Sequence, residues 1–413
     1  MGKIPQDPEN FVPYHISFRY AYMFINCPYI VSKSKKSLKK EQNREENPDY
    51  SDNIYQIVTA HRTILPYAKP DPSIIKACIA ASCCGTSISA YALHHHSLPS
   101  HTSCLTYLHG LDMDEMRKQS SDMLLKAGNK VIRPGQKYAF AIDKTQDPYY
   151  GKHDDKPDTY TGGGKRKAST NHFYTYFTMS IVDQGHHITL FSVPWQNDMK
   201  NVVSIQKCVE LIHSLGLKIR SLCLDREFFT ASILRYLQQS WIPHIIPVKK
   251  HGKVLNAMLK GRASSTFTYT MKKGTKDSVD LVITDCVVYM MGKHTKKGLE
   301  HHAFVVFGMS TSPRNVREIY RHRFAIESTY RLRNSVRPRT STRDEKIRYF
   351  YTLLSFIIQN LWVSEKWIRC ARQKPGPKVI EKNRLSLEYF SDLIRENSEL
   401  LFRLKRMDEI ALT

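Results

Sequence analysis

The stretch from Lys137 to Val248 constrains this chain most, because its apolar runs and turn signals come in an order that few folds accept. A short apolar run, Tyr138 to Ile142, ends at Asp143. Two longer runs, His172 to Asp183 and His187 to Pro194, flank Asp183-Gln184-Gly185, which reads as a hairpin turn. An amphipathic helix, Val202 to Leu215, is closed by Gly216. The run Ile219 to Leu224 then ends at Asp225, a helix spans Phe228 to Gln239, and a strand covers Ile242 to Val248. Strand, strand, strand, helix, strand, helix, strand is the pattern of an α/β protein with a mixed sheet flanked by helices. It sets two aspartates at the ends of two apolar strands.

Around this stretch the chain divides further. Residues 1–52 form an aromatic and then lysine-rich arm and linker, and 53–134 read as helical. There Asp71-Pro72-Ser73 starts a helix carrying the stripe Ile74, Ile75, Cys78 and Ile79, and short helices with small-residue turns suggest a helix-turn-helix reader of DNA. Residues 135–248 hold the first part of the core, 249–311 a β-rich insertion of Thr, Val, Tyr and Lys, 312–370 the second part, and 371–413 a C-terminal helical tail. Nine scattered cysteines without a C-x-x-C pair fit reduced thiols in a cytoplasmic protein. The apolar segment from Tyr22 to Val31 is too short to span a bilayer, so no membrane association is expected.

Charge narrows the partners. Sixty-two Lys and Arg against 38 Asp and Glu leave +24, and a chain so basic repels itself unless it meets a polyanion, of which nucleic acid is the commonest. Between Arg314 and Arg348 stand 11 basic residues against four acids, a density suited to clamping DNA, although a solvated helix face is the ordinary meaning of such a run.

Phosphoryl transfer on DNA needs two divalent cations more than it needs covalent help from a protein. Magnesium takes hard oxygen ligands, so a minimal site is about three carboxylates converging from separate rigid elements. Asp143, Asp225 and Glu327 are the candidates: two follow apolar strands, and the third lies in a helical segment with Tyr320, Arg323 and Arg331 at spacings that share one helical face. Singly, each has an ordinary reading, as a turn or cap aspartate or as a surface ion-pair glutamate. Only the joint pattern separates them from that background.

At these residues the chain resembles a known family. Ala139-Phe-Ala-Ile-Asp143-Lys-Thr, Leu222-Cys-Leu-Asp225-Arg-Glu-Phe-Phe and Tyr320-Arg-His-Arg323-Phe-Ala-Ile-Glu327 look like the DDE transposases of bacterial and archaeal insertion sequences. Within that family they look like the members with a strand-rich insertion between the second Asp and the Glu. The resemblance covers roughly residues 135 to 365. It implies an RNase H-like core, and cleavage at element ends followed by strand transfer. It also implies Mg2+ (Mn2+ as a substitute) held by Asp143, Asp225 and Glu327. The partners it implies are double-stranded DNA, as terminal inverted repeats and target, and a homodimer on DNA in a prokaryotic cytoplasm, associated with the nucleoid.

The family signature runs Tyr, Arg, Glu, Lys. Tyr320, Arg323 and Glu327 occupy the first three places and Asn334 stands where Lys is expected, so Arg331 or Arg333 would supply that phosphate contact. Tyr320 would order the helix or touch DNA, and Arg323 would steady phosphates.

Lys165, Arg166 and Lys167, in what reads as a mobile loop with Asp154 and Asp155, are further candidates for phosphate contact. Trp195 is a candidate for holding a flipped base, against ordinary strand-end packing. Glu227 reads as a first-turn helix residue before it reads as an auxiliary ligand. His94 to His96 with His101 and Cys104 match no zinc spacing. Two rival readings remain: a nuclease of the same fold without strand transfer, and a non-catalytic DNA-binding derivative.

Overall fold

The computed structural model describes residues 50–59, 72–95, 98–151, 160–183, 185–250, 253–259, 264–273, 282–295, 298–372, 379–380 and 384–402. The lysine-rich arm, His96, Asp154, Asp155 and the end of the tail lie outside the described residues. The chain divides into two units, Met1–Pro48 and Asp49–Thr413, and every described residue belongs to the second.

Five helices come first: α1 (Tyr50–Thr59), α2 (Pro72–Cys83), α3 (Ile88–Leu93), α4 (His101–His109) and α5 (Met113–Gly128). Then follow β1 (Lys137–Tyr149), β2 (Thr161–Lys167), β3 (Thr170–Asp183), β4 (His186–Pro194), α6 (Asn201–Ser214), β5 (Lys218–Leu224), α7 (Ala231–Gln239) and β6 (His244–Pro247). After α8 (Lys253–Leu259) come β7 (Ser264–Lys273), β8 (Val282–Thr295) and β9 (Gly298–Phe307). The remainder comprises α9 (Pro313–Arg321), α10 (Phe324–Ser335), α11 (Glu345–Cys370), a two-residue pair β10 (Ala371–Arg372) and β11 (Val379–Ile380), and α12 (Leu387–Phe402).

Strand order in the main sheet is β2-β3-β1-β5-β6-β9-β8-β7, with β4 also on β3. The long strand β3 pairs antiparallel with β1 along one edge, while its other edge is shared by β2 near the start and β4 near the end. Strands β1, β5 and β6 are parallel, with helices α6 and α7 in the connections, as parallel pairs require. The antiparallel set β4-β3-β1 joined to the parallel set β1-β5-β6 is the RNase H-like arrangement. The hairpin turn before β4 uses Gly185 at φ +78°, a backbone that disfavours any side chain.

The strand-rich segment has no sheet of its own. Strand β9 pairs antiparallel with β6, so β9, β8 and β7 extend the main sheet beyond its parallel edge. The leading helices likewise have no private core: Ile54, Ile75, Leu108 and Leu124 share one buried cluster with Phe140, Phe177 and Ile357. The region 53–134, expected to be helical, is a helical layer on the same core. Helix α11 is its axle. The N-cap Asp344 accepts from the backbone of Lys346 and Ile347, and Asn360 donates to Leu124 O and Thr189 O while accepting from Thr189 N. One buried amide so ties α11 to both α5 and β4. Among the described residues no helix is long and apolar enough to cross a membrane.

Side chains alternate across a strand. On β1, Tyr138, Phe140 and Ile142 enter the large core, while Ala139 and Ala141 face Ile326 of α10. On β5, Leu222 and Leu224 enter the large core, while Cys223 faces Val316 and Tyr320 of α9. The aspartates one step further on each strand, Asp143 and Asp225, have the parity of the face that α9 and α10 cover.

Candidate active site

Register brings the two aspartates together. The parallel pairing of β1 with β5 ends at Ile142 opposite Leu224, and the next residue on each strand is aspartate. Asp143 does not end its strand, as the sequence suggested. Strand β1 runs six residues past it in register with β3, because antiparallel pairing with β3 continues where pairing with β5 stops.

The segment expected as one continuous helix through Tyr320 and Glu327 is broken. Helix α9 stops at Arg321, α10 starts at Phe324, and the Arg323 N–H bonds to Tyr320 O, a tight turn between them. Tyr320 therefore does not share a helical face with Glu327. It is buried, its ring packs on Phe304 at 5.0 Å, and its hydroxyl donates to Leu224 O at 3.2 Å, the carbonyl just before Asp225. A DNA contact by Tyr320 gives way to this structural one.

The break turns Arg323 inward. Its guanidinium lies 3.0 Å from Asp143 Oδ2, 3.0 Å from Glu327 Oε1 and 3.7 Å from Asp225 Oδ1. Three carboxylates, far apart in sequence, converge on one cation. Asp143 is the most enclosed; burial raises its pKa to about 6 in spite of Arg323, and Asp225 adds to the rise. The Asp225 and Glu327 side chains remain about two-fifths exposed, at 39% and 42%, so the cluster opens to solvent on one side.

In chemistry the donors suit a hard divalent cation, with oxygen only and three negative charges. Among the described residues, no three His, Cys, Asp or Glu are drawn together closely enough to hold a metal ion, and the three carboxylates meet on Arg323 instead. Beside Asp225 and Arg323 opens a cavity of about 730 Å3 whose lining includes Arg226, Lys250, Arg317 and Arg321. That basic wall was partly legible in the run from Arg314 onward; the contribution of Lys250 was not.

The remaining candidates separate. Arg333 is fully buried; its Nη2 lies 2.8 Å from Asp147, which also pairs with Arg337. The phosphate contact expected of Arg333 is thus corrected to an internal ion pair, for no atom of it reaches solvent. Arg331 is exposed, as is Asn334. Lys165, Arg166 and Lys167 are exposed on strand β2 rather than in a loop.

Trp195 stacks on Phe177 at 5.8 Å, and Lys144 Nζ lies 3.6 Å from its ring centre. Glu227 lies in a short 3-10 turn, Arg226–Phe228, and pairs with Lys144 at 3.1 Å. Burial lowers the Lys144 pKa, against the opposing pull of Glu227. Lys144 was missed by sequence reasoning. Its only signal was adjacency to Asp143.

The sheet order defines an α/β fold of the RNase H-like kind. Residues 134–361 match the Transposase DDE domain, more than half of the chain, and the chain belongs to that family of DNA-cleaving, strand-transferring enzymes, which act with divalent metals. Among solved structures it is similar to a piggyBac transposase in a synaptic complex with hairpin DNA, with TM-score 0.57 and 11% identity. That similarity covers 86% of this chain and 82% of the other. Comparison with curated proteins gives no match.

Proposed function

We propose that Asp143, Asp225 and Glu327 are the carboxylates at which this transposase holds its divalent cations, magnesium or, as a substitute, manganese. The observation that carries the reading is their convergence on the single guanidinium of Arg323. A trio that gathers round one positive charge in the folded protein has the charge and donor chemistry to gather round another. Cations bound there would activate the attacking hydroxyl and steady the leaving oxygen.

The chain's own groups account for the rest. Tyr320 fixes the carbonyl before Asp225, and the small residues Ala139 and Ala141 let α10 lie close enough for Glu327 to reach the strand ends. Arg323, released from the carboxylates, would face a phosphate oxygen, helped by Arg317 and Arg321 on the same cavity wall. Arg331, Lys165, Arg166 and Lys167, all exposed, would hold flanking duplex. The substrate on this reading is double-stranded DNA, as terminal inverted repeats and a target, worked on by two copies of the chain.

The test uses labelled element ends, a target plasmid and magnesium. Asp225→Asn should bind the ends with unchanged affinity and yield neither nicked nor joined product. Continued cleavage by that variant at the wild-type rate would remove Asp225 from the site. Cleavage by the wild type without joined product would favour the rival reading, a nuclease of this fold.

A further inference from the structure

A second basic cavity lies on the same side of the fold as the carboxylates but outside their cluster. Asp143, Thr145 and Asp147 share one face of β1, so Asp147 sits about 13 Å beyond Asp143 along the strand. There a cavity of about 570 Å3 opens, bordered by Tyr150, Arg337, Arg339, Arg343 and Arg348. Its one carboxylate, Asp147, is consumed by Arg333 and Arg337. Behind it, Arg333 keeps Nε and Nη1 buried without a hydrogen-bond partner, so its charge is only partly compensated. Arg348 stacks over Tyr174 at 4.8 Å and donates to Thr342 O at 2.6 Å. Arg339 and Arg343 are exposed and have no carboxylate partner among the described residues. The Tyr150 ring is 66% exposed at the rim, while its hydroxyl is anchored to Ala168 O at 3.0 Å.

A cavity with surplus guanidinium charge and one large, exposed, tethered aromatic ring suits an anion attached to a flat ring. We infer that it binds one nucleotide of an unpaired DNA strand, with the phosphate on Arg339 and Arg343 and the base stacked on Tyr150. The volume is within the range of small-ligand sites. Arginine forks fit phosphate oxygens, and a tethered ring loses little freedom when a base stacks on it. The inference rests on the reading of this chain as an enzyme of DNA. It adds a place for a strand that has left its duplex, a short distance from the carboxylates.

The test measures binding of the full chain, without divalent metal, to a fluorescent duplex ending in a short 3′ single strand and to the same duplex made blunt. Tyr150→Ala should weaken binding of the overhang about fivefold or more and of the blunt duplex less than about twofold. Tyr150→Phe, which keeps the ring but loses the tether to Ala168 O, should weaken the overhang less than Tyr150→Ala does. Arg339→Ala with Arg343→Ala should flatten the salt dependence for the overhang by about 0.7 in log–log slope, one single-strand phosphate contact. All three residues are exposed, so melting midpoints should not move. Equal losses on both DNAs for Tyr150→Ala, loss in Tyr150→Phe as large as in Tyr150→Ala, or an unchanged salt slope in the arginine variant would overturn the inference. Failure of the wild type to bind either DNA would instead overturn the DNA reading beneath it.

Discussion

Replacing Asp147 by asparagine should destabilise the protein while leaving every exposed basic residue in place. Helix α10 lies along β1: Arg323, at its N-terminus, meets Asp143, and Arg333, ten residues on, meets Asp147. Ten helical residues advance about 15 Å and four strand residues about 13 Å, so the two contacts fix helix against strand at both ends. Asp147→Asn leaves Arg333 charged, fully buried and without a carboxylate, whereas Arg337, about a quarter exposed, can turn to solvent. Breaking a buried pair in this way costs about 3–5 kcal/mol, chiefly from the stranded charge. For a unit of this length each kcal/mol moves the thermal midpoint by about 1.3 °C, giving a fall of about 4–6 °C.

Arg333→Met removes the buried charge itself and leaves Asp147 paired with Arg337, so it should cost about 1–2 kcal/mol. The double variant should be more stable than Asp147→Asn alone. Burial pushes the Asp147 pKa up, but Arg333 and Arg337 outweigh it and hold the carboxyl below its usual range. The stabilisation is therefore complete above about pH 4, the unfolded value, and is lost as pH falls through the lowered one. Thermal melts of the four proteins at neutral pH, with denaturant midpoints as a second measure, decide the matter. A loss below about 1 kcal/mol for Asp147→Asn, or simple additivity in the double variant, would refute the clamp.

Three further outcomes are expected. Asn360→Leu should cost about 3 kcal/mol in a urea titration, because a buried backbone N–H and two carbonyls lose their partner together. Burial lowers the His244 pKa to about 4, and its bond to Ile242 O only partly offsets this. The unfolded chain then binds more protons between about pH 4 and 6.5, so stability falls as pH drops through that window, by up to about 1.4 kcal/mol per unit. His244→Gln should flatten that slope; an unaltered slope would show that another group is responsible. Replacing Lys165, Arg166 and Lys167 together by alanine should reduce the salt dependence of duplex binding by as much as about 2.7 in slope without moving the melting midpoint. No change in slope would remove strand β2 from the DNA surface.

Much of the architecture is written in local pattern. The apolar runs at 138–142, 172–182, 187–193 and 219–224 are strands in the structure, Gly185 makes the turn, and helix α6 ends just before Gly216. Periodicity and turn chemistry act over a few residues, so a linear reading can recover them. The excess of basic residues and the spacing of Asp143, Asp225 and Glu327 are also properties of the chain alone, and the family resemblance rests on them.

What the tertiary structure decided concerns which faces meet. Arg331 and Arg333 look alike in sequence, yet one is exposed and the other is buried against Asp147, a partner 186 positions away. Whether Tyr320 and Glu327 share a helix depended on a turn at His322 and Arg323 that lets Tyr320 reach β5 while Glu327 pairs with Arg323. Whether the segment from Ser264 to Phe307 stood apart or extended the sheet depended on β9 finding the open edge of β6. A side chain's period says which way it points within its own element. Burial, pairing and edge satisfaction are settled only when that element meets another, and those free energies belong to the pair.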